Sequence, residues 1–241
     1  MKNRNQDLII LLTATITPNT YSKLKVTEPK IRKQQYLEAL NFYIHQTNYK
    51  IVFAENSGDQ LAEFPLLPER IEYLSFKSEP IQPDRGKAFK ELEIIDFAIQ
   101  NSTFIKEAKA IAKIAGRLQV LNFKKLSRTF LKYRKKQNHL VYANSYKQGN
   151  MDSRCFFFTL DFWPYQLEVG QNITLLYNFE LSLWDSIHQY NKIEGKTFKP
   201  FYIPLRIRGV SGFSGNKYKH NLLIHYARLI RNLSQVFPSK S

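Results

Sequence analysis

The chain has 241 residues, enough for one large domain with its own core and too few for two equal ones. Hydrophobic residues make up 43% and charged residues 23%, a globular balance that excludes a disordered tail, and the single Cys155 excludes an internal disulfide and a cysteine zinc cluster. With 36 Lys and Arg against 20 Asp and Glu, the formal charge of +16 calls for a phosphate-bearing partner: nucleic acid, an anionic membrane, or a nucleotide or diphosphate ligand.

The first apolar run, LIILLTATI at 8–16, follows a basic start as in a signal peptide. It is too short to span a bilayer, is rich in β-branched residues and leads into Thr-Pro-Asn, so it reads as the first core strand. Leu37, Leu40 and Ile44 predict a helix over 30–46. IVFAE at 51–55, IEYLSF at 71–76 and AIAKIA at 110–115 read as further strands. A helix over 87–109 separates the last two, with Phe89, Leu92, Ile95 and Ile99 inward; Asn-Ser-Thr at 101–103 splits it and caps its second piece. This alternation predicts an α/β fold with a mostly parallel, Rossmann-like sheet and crossover helices.

The character changes after Asn122. FKKLSRTFLKYRKKQ at 123–137 reads as a basic amphipathic helix, VYANSY at 141–146 and CFFFTLDFW at 155–163 as strands, and NITLLYNFELSLWDSIHQY at 172–190 as one long helix. The tail holds YIPLRIRGVSGFSGNKY, a loop rich in glycine and serine, and a last helix with Leu222, Leu223, Tyr226, Leu229 and Ile230. No repeat, low-complexity segment or run of the ~20 apolar residues needed to span a bilayer interrupts the chain. One domain is expected, with halves at 1–122 and 123–241. The lone cysteine fits a reducing compartment, so a cytoplasmic protein is expected, and the basic helix adds an expected peripheral place on an anionic membrane.

Taken in order, LTATITPN, IVFAENSG, GKAFKELEIIDFAI, KIAGRLQVLN and IRGVSGFSG resemble bacterial glycosyltransferases of cell-surface polysaccharide (capsule or lipopolysaccharide) synthesis, with a compact GT-A-like fold. The resemblance covers most of the chain through short motifs of moderate specificity. It implies a nucleotide-sugar donor bound at the C-terminal ends of the first strands in the 1–122 half, and a glycan or lipid-linked acceptor met by the 123–241 half. Many such enzymes hold a divalent metal with an Asp-x-Asp after the fourth strand. This chain contains none, and Gly116-Arg117 occupies the comparable place.

A leaving nucleoside diphosphate develops negative charge that something positive must stabilise. Arg117 and Lys87 can do so without a metal, because a guanidinium fork matches phosphate oxygens; the alternative for Arg117 is a surface ion pair. In DRGKAFKE, Lys87 stands at a helix start that favours anions and Glu91 one turn later, either as donor contacts or as a routine ion pair. Glu55 and Asn56 at the end of IVFAEN, and Thr13 and Thr15 at the end of the first strand, are polar groups suited to a base or ribose, or simply loop residues.

Transfer also needs a group that deprotonates the acceptor. Glu180 shares a helical face with Leu176, Leu183 and Ile187, either beside a dry cleft or at a solvent edge; Asp152, next to Arg154, is the rival, or forms a turn with a local ion pair. Lys132, Arg134, Lys135 and Lys136 surround an apolar stripe, as on a helix lying on an anionic leaflet, or else form a solvated face.

The competing class is a non-catalytic nucleic-acid-binding protein, supported by charge and abundant Tyr and Phe. Its basic residues are scattered, however, and no RNP, KH or helix-turn-helix signature is present, so no specific nucleic acid partner is expected. A nuclease or phosphotransferase lacks clustered acidic metal ligands. His45, His139, His188, His220 and His225 have no zinc-site spacing, and no G-x-S-x-G elbow occurs.

Overall fold

The computed structural model describes residues 7–18, 24–147, 149–195, 197–211, 215–218, 222–223, 226–227 and 230. Four parallel strands form the centre: β1 (Leu8–Ala14), β2 (Ile51–Glu55), β3 (Ile71–Ser75) and β4 (Ala110–Ala115), in spatial order β3-β2-β1-β4. After a short β5 (Gln119–Val120), β6 (Val141–Lys147) and β7 (Asn150–Thr159) extend the sheet. β7 is antiparallel to β4 and β6 antiparallel to β7, while β8 (Phe198–Pro200) closes the edge parallel to β6. β9 (Ile207–Arg208) pairs with β5 outside this seven-stranded sheet.

Helices cover both faces, which is why β1 is buried at every position. Leu8, Ile10 and Leu12 pack with Tyr36, Leu40 and Tyr43 of α1 (Pro29–Gln46) and with Phe123, Leu126 and Phe130 of α4 (Phe123–Arg134). The alternate residues Ile9 and Leu11 share the opposite core with α2 (Gly86–Asn101), α3 (Thr103–Glu107), α5 (Trp163–Gly170) and α6 (Phe179–Glu194). The α/β class, the mostly parallel sheet and the split of the second helix all agree with the sequence. Ser102 makes that split by accepting Ile105 N–H at 3.0 Å as the cap of α3.

The second half differs from expectation in three places. The long helix over 172–190 begins only at Phe179, because Asn178 caps it by accepting Leu181 N–H at 3.0 Å. Leu176 lies outside it, so Glu180 stands in the first turn rather than inside an apolar stripe. The strand expected at 155–163 starts at Asn150 and ends at Thr159, which puts Asp152 inside β7 and gives Trp163 to α5. The apolar stripe of α4 faces the core: Phe123, Leu126 and Phe130 are buried, and Phe123 and Phe130 stack on Phe157 at 5.7 and 5.4 Å. Each such side chain contributes roughly 1.5–3 kcal/mol by burial, so this stripe is unavailable to a leaflet. The last helical pattern falls partly outside the described residues, as do His220, His225 and Leu229.

The topology positions a site. From β1 the chain moves outward through α1 to β2 and β3, then returns through α2 and α3 to β4 on the other side of β1. The β1–β4 boundary is therefore a switch point, with α1 on one face and α2 on the other, and such points open a crevice at the carboxyl ends of the strands.

Candidate functional site

A cleft of about 520 Å³ lies there. It is lined by Thr13, Thr15, Asn56, Lys87, Glu91, Arg117, Asp152, Arg154 and Glu180, nine of the ten residues that sequence reasoning nominated for donor binding or catalysis. The remaining one, Glu55, turns away. Its buried carboxylate accepts the backbone N–H groups of Ile16, Ser57 and Asp59 at 2.9, 2.8 and 3.1 Å, so it ties the β2 loop to the end of β1 instead of facing a ligand. Lys132, Arg134, Lys135 and Lys136 lie away from the cleft, at the end of α4 and just beyond it. Arg134 reaches Asp7 at 3.3 Å, and the three lysines are exposed.

One wall is built on α1. Gly116 N–H donates to the Thr13 carbonyl at 2.9 Å, and a Cβ at this position would stand 2.6 Å from that oxygen and 3.2 Å from the Tyr36 ring. Only glycine lets the end of β4 press so closely on β1 and α1. Arg117 emerges beside it, donates to Gln35 Oε1 at 2.9 Å, and among the described residues has no carboxylate partner.

Arg32, 5% exposed, donates to the carbonyls of Thr15 and Val26 at 2.7 and 3.0 Å and to Tyr36 Oη at 3.2 Å. Tyr36 in turn accepts Thr15 N–H at 2.9 Å. Burial, reinforced by the neighbouring Arg32 charge and opposed by Tyr36, pulls the Arg117 guanidinium below its usual pKa. A buried guanidinium and a partly exposed one flanking one tyrosine favour an anion that neutralises both. Thr15 Oγ1 donates to Asn56 Oδ1 at 2.6 Å, which fixes the two polar strand ends side by side.

The floor holds a residue that sequence reasoning passed over. Lys113, 1% exposed in the middle of β4, places Nζ 2.5 Å from Glu91 Oε1 and donates to the Ser153 carbonyl at 2.7 Å. Thr13 Oγ1 donates to the same Glu91 oxygen at 2.8 Å. The signal was present in AIAKIA, since lysine is almost never fully buried unless paired. Arg32 was missed because the α1 pattern was read only for its apolar stripe.

The second wall carries two further carboxylates. Glu180 accepts the Ser153 hydroxyl at 2.7 Å, whereas fully buried Asp152 holds Arg154 through two side-chain bonds of 2.8 and 2.7 Å. The Arg154 guanidinium lies 4.9 Å from the Tyr218 ring, which brings the tail onto the cleft. Among the described residues, no group of three or more His, Cys, Asp or Glu is placed to hold a metal ion. With Glu91 engaged by Lys113 and Asp152 by Arg154, the donor set does not fit a divalent cation.

The sequence matches no family model and no curated protein. Among solved structures the chain is similar to a glycosyltransferase involved in the glycosylation of the major capsid of PBCV-1, with 12% identity over 80% of each chain and a TM-score of 0.49. It is similar to a protein assigned as a nucleotide-diphospho-sugar transferase from Desulfovibrio desulfuricans, with 10% identity over 80% of each chain and a TM-score of 0.47. A Mycobacterium homologue of a Mycobacterium tuberculosis protein shares 9% identity over 97% of this chain and all of its own, with a TM-score of 0.45.

Proposed function

We propose that the chain is a glycosyltransferase that moves a sugar from a nucleotide donor to a glycan or lipid-linked acceptor in bacterial surface polysaccharide synthesis, working in the cytoplasm at the inner membrane surface. The observation that supports this reading best is the division of the switch-point cleft. Arg32 and Arg117 stand on one wall, and Glu180 and Asp152 on the other, with Lys113 and Glu91 between them.

In this reading Thr13, Thr15 and Asn56 receive the nucleoside, while Arg117, with Lys87 at the rim, meets the diphosphate. Glu180 takes the proton from the acceptor hydroxyl. The freed oxygen forms its bond to the anomeric carbon as the bond from that carbon to the phosphate oxygen breaks. The electron pair leaves on the nucleoside diphosphate, where the guanidiniums stabilise it. Glu180 is preferred over Asp152 because Asp152 is fully buried and accepts three bonds from Arg154, whereas Glu180 lines the cleft and accepts the Ser153 hydroxyl.

Thermal unfolding against a panel of nucleosides, nucleoside diphosphates and nucleotide sugars tests this. Selective stabilisation by one nucleoside diphosphate and its sugar is the expected result. No stabilisation by any of them, together with salt-sensitive oligonucleotide binding, overturns it in favour of a nucleic-acid-binding protein.

A further inference from the structure

Two apolar projections adjoin cleft residues along the chain. The first is the turn before α6. Thr174 N–H donates to the Tyr177 carbonyl at 2.9 Å, and Thr174 Oγ1 accepts the N–H groups of Leu176 and Tyr177 at 3.3 and 3.0 Å. This closed turn holds Leu175 and Leu176 at its tip, 71% and 92% exposed. Its place is fixed against α2, since a Cβ on Gly86 would stand 2.9 Å from Leu175 Cδ2. The neighbouring Lys87, Asn178 and Glu180 all line the cleft.

The second projection follows Tyr218, itself a cleft residue. Leu222, Leu223, Tyr226 and Ile230 are helical and exposed, Leu223 at 83%. At 100° per residue the spacing of these four positions spans about 100°, a single apolar stripe. From residue 195 to 241 the sequence carries nine Lys and Arg and no Asp or Glu.

We infer that these projections, not α4, seat the cleft mouth on an anionic bilayer. The inference deepens the proposed function by giving a lipid-linked acceptor a route into the cleft. A protein partner would be expected to meet one continuous apolar patch. Here there are two small ones, each close in the chain to cleft residues, and the charged residues of the tail segment are all cationic. That composition suits leucines entering the boundary between headgroups and acyl chains while cations meet lipid phosphates. α4 lacks half of the combination, because its apolar face is spent on the core.

The test is sedimentation of the full chain with vesicles of phosphatidylglycerol and phosphatidylcholine, and with phosphatidylcholine alone. Wild type should bind the anionic vesicles and largely fail to bind neutral ones. Leu175→Ser with Leu176→Glu, and separately Leu222→Glu with Leu223→Glu, should each weaken binding by about tenfold or more. Charge reversal at Lys132, Lys135 and Lys136 should leave most of it.

Wild-type binding by both leucine variants overturns the inference, and so does loss of binding through the α4 reversal alone. A leucine variant that keeps vesicle binding but changes the oligomeric state assigns the patch to a second copy of the chain, which also overturns it. Stabilisation by nucleoside diphosphate, measured in parallel, separates this failure from failure of the transferase reading: the latter loses the nucleotide response in wild type.

Discussion

The Lys113 ammonium lies 2.5 Å from Glu91 Oε1 on the cleft floor, and the two residues do not share a fate when either is removed. Lys113 has almost no access to water, whereas the Glu91 side chain keeps 26% of its exposure. Glu91→Gln therefore strands a buried cation, which costs about 3–5 kcal/mol. Lys113→Met leaves a carboxylate that Thr13 and solvent still reach, and should cost clearly less. Lys113→Met combined with Glu91→Met should recover much of the Glu91→Gln loss. Urea denaturation of the three variants measures the order; equal losses for both single variants would show that the pair is not asymmetric.

Arg117→Ala should weaken binding of a nucleoside diphosphate by about 10- to 100-fold while leaving the free nucleoside nearly unchanged, because charge-assisted bonds to phosphate contribute about 1.5–3 kcal/mol. Calorimetric titration with both ligands reads the difference. Equal weakening of the two would place Arg117 on the base or ribose.

The central strands, the crossover helices and the Ser102 cap were legible because each depends on local pattern: apolar runs of strand length, a helical stripe, and a hydroxyl three residues ahead of an orphan N–H. Gly116-Arg117 was legible for a similar reason, as a strand break that delivers a cation to the carboxyl edge of the sheet. What covers a stripe is not local information. The α4 pattern is the same whether Phe130 meets Phe157 or a bilayer, and only tertiary packing decides. The start of α6 was missed because an apolar run hid the cap at Asn178 and the turn at Thr174. Lys113 escaped because its partner Glu91 arrives from α2, 22 positions away in the chain.

At the opposite edge of the sheet, His139 and Asp161 form a hydrogen-bonded pair beside Tyr190, which also donates to Asp161. The bond to Asp161 pushes the His139 pKa up, against the effect of burial. Burial pushes Asp161 up, but bonds from Thr159, Tyr190 and His139 together hold it below the usual carboxylate range. The His139 contribution is complete below its unfolded value near ~6.5 and is lost as pH rises through the raised folded value. The Asp161 contribution is complete above ~3.9 and fades as pH falls through its depressed folded value. The stability gap between wild type and His139→Gln should thus be widest near pH ~5 and shrink above pH ~7. Denaturation midpoints measured from pH 4 to 9 check it, and a gap that widened toward alkaline pH would contradict the assignment.

Glu180→Gln tests the chemistry most directly. The residue stands in the first turn of α6, exposed to the cleft and held by a single 2.7 Å bond from Ser153, so glutamine can keep the shape and that contact. What it cannot do is accept the acceptor's proton. The variant should fold, bind donor as wild type does, and lose turnover by about 10²–10⁴-fold, the usual contribution of a positioned base. Hydrolysis of donor without acceptor should fall less, since water needs less positioning than a sugar hydroxyl. Ser153→Ala should produce a smaller loss, because it removes one positioning bond and leaves the Glu180 carboxylate in place. Near-normal transfer by a folded Glu180→Gln variant would move the role to Asp152, despite its grip on Arg154. Loss of folding would make Glu180 part of the scaffold that joins β7 to α6.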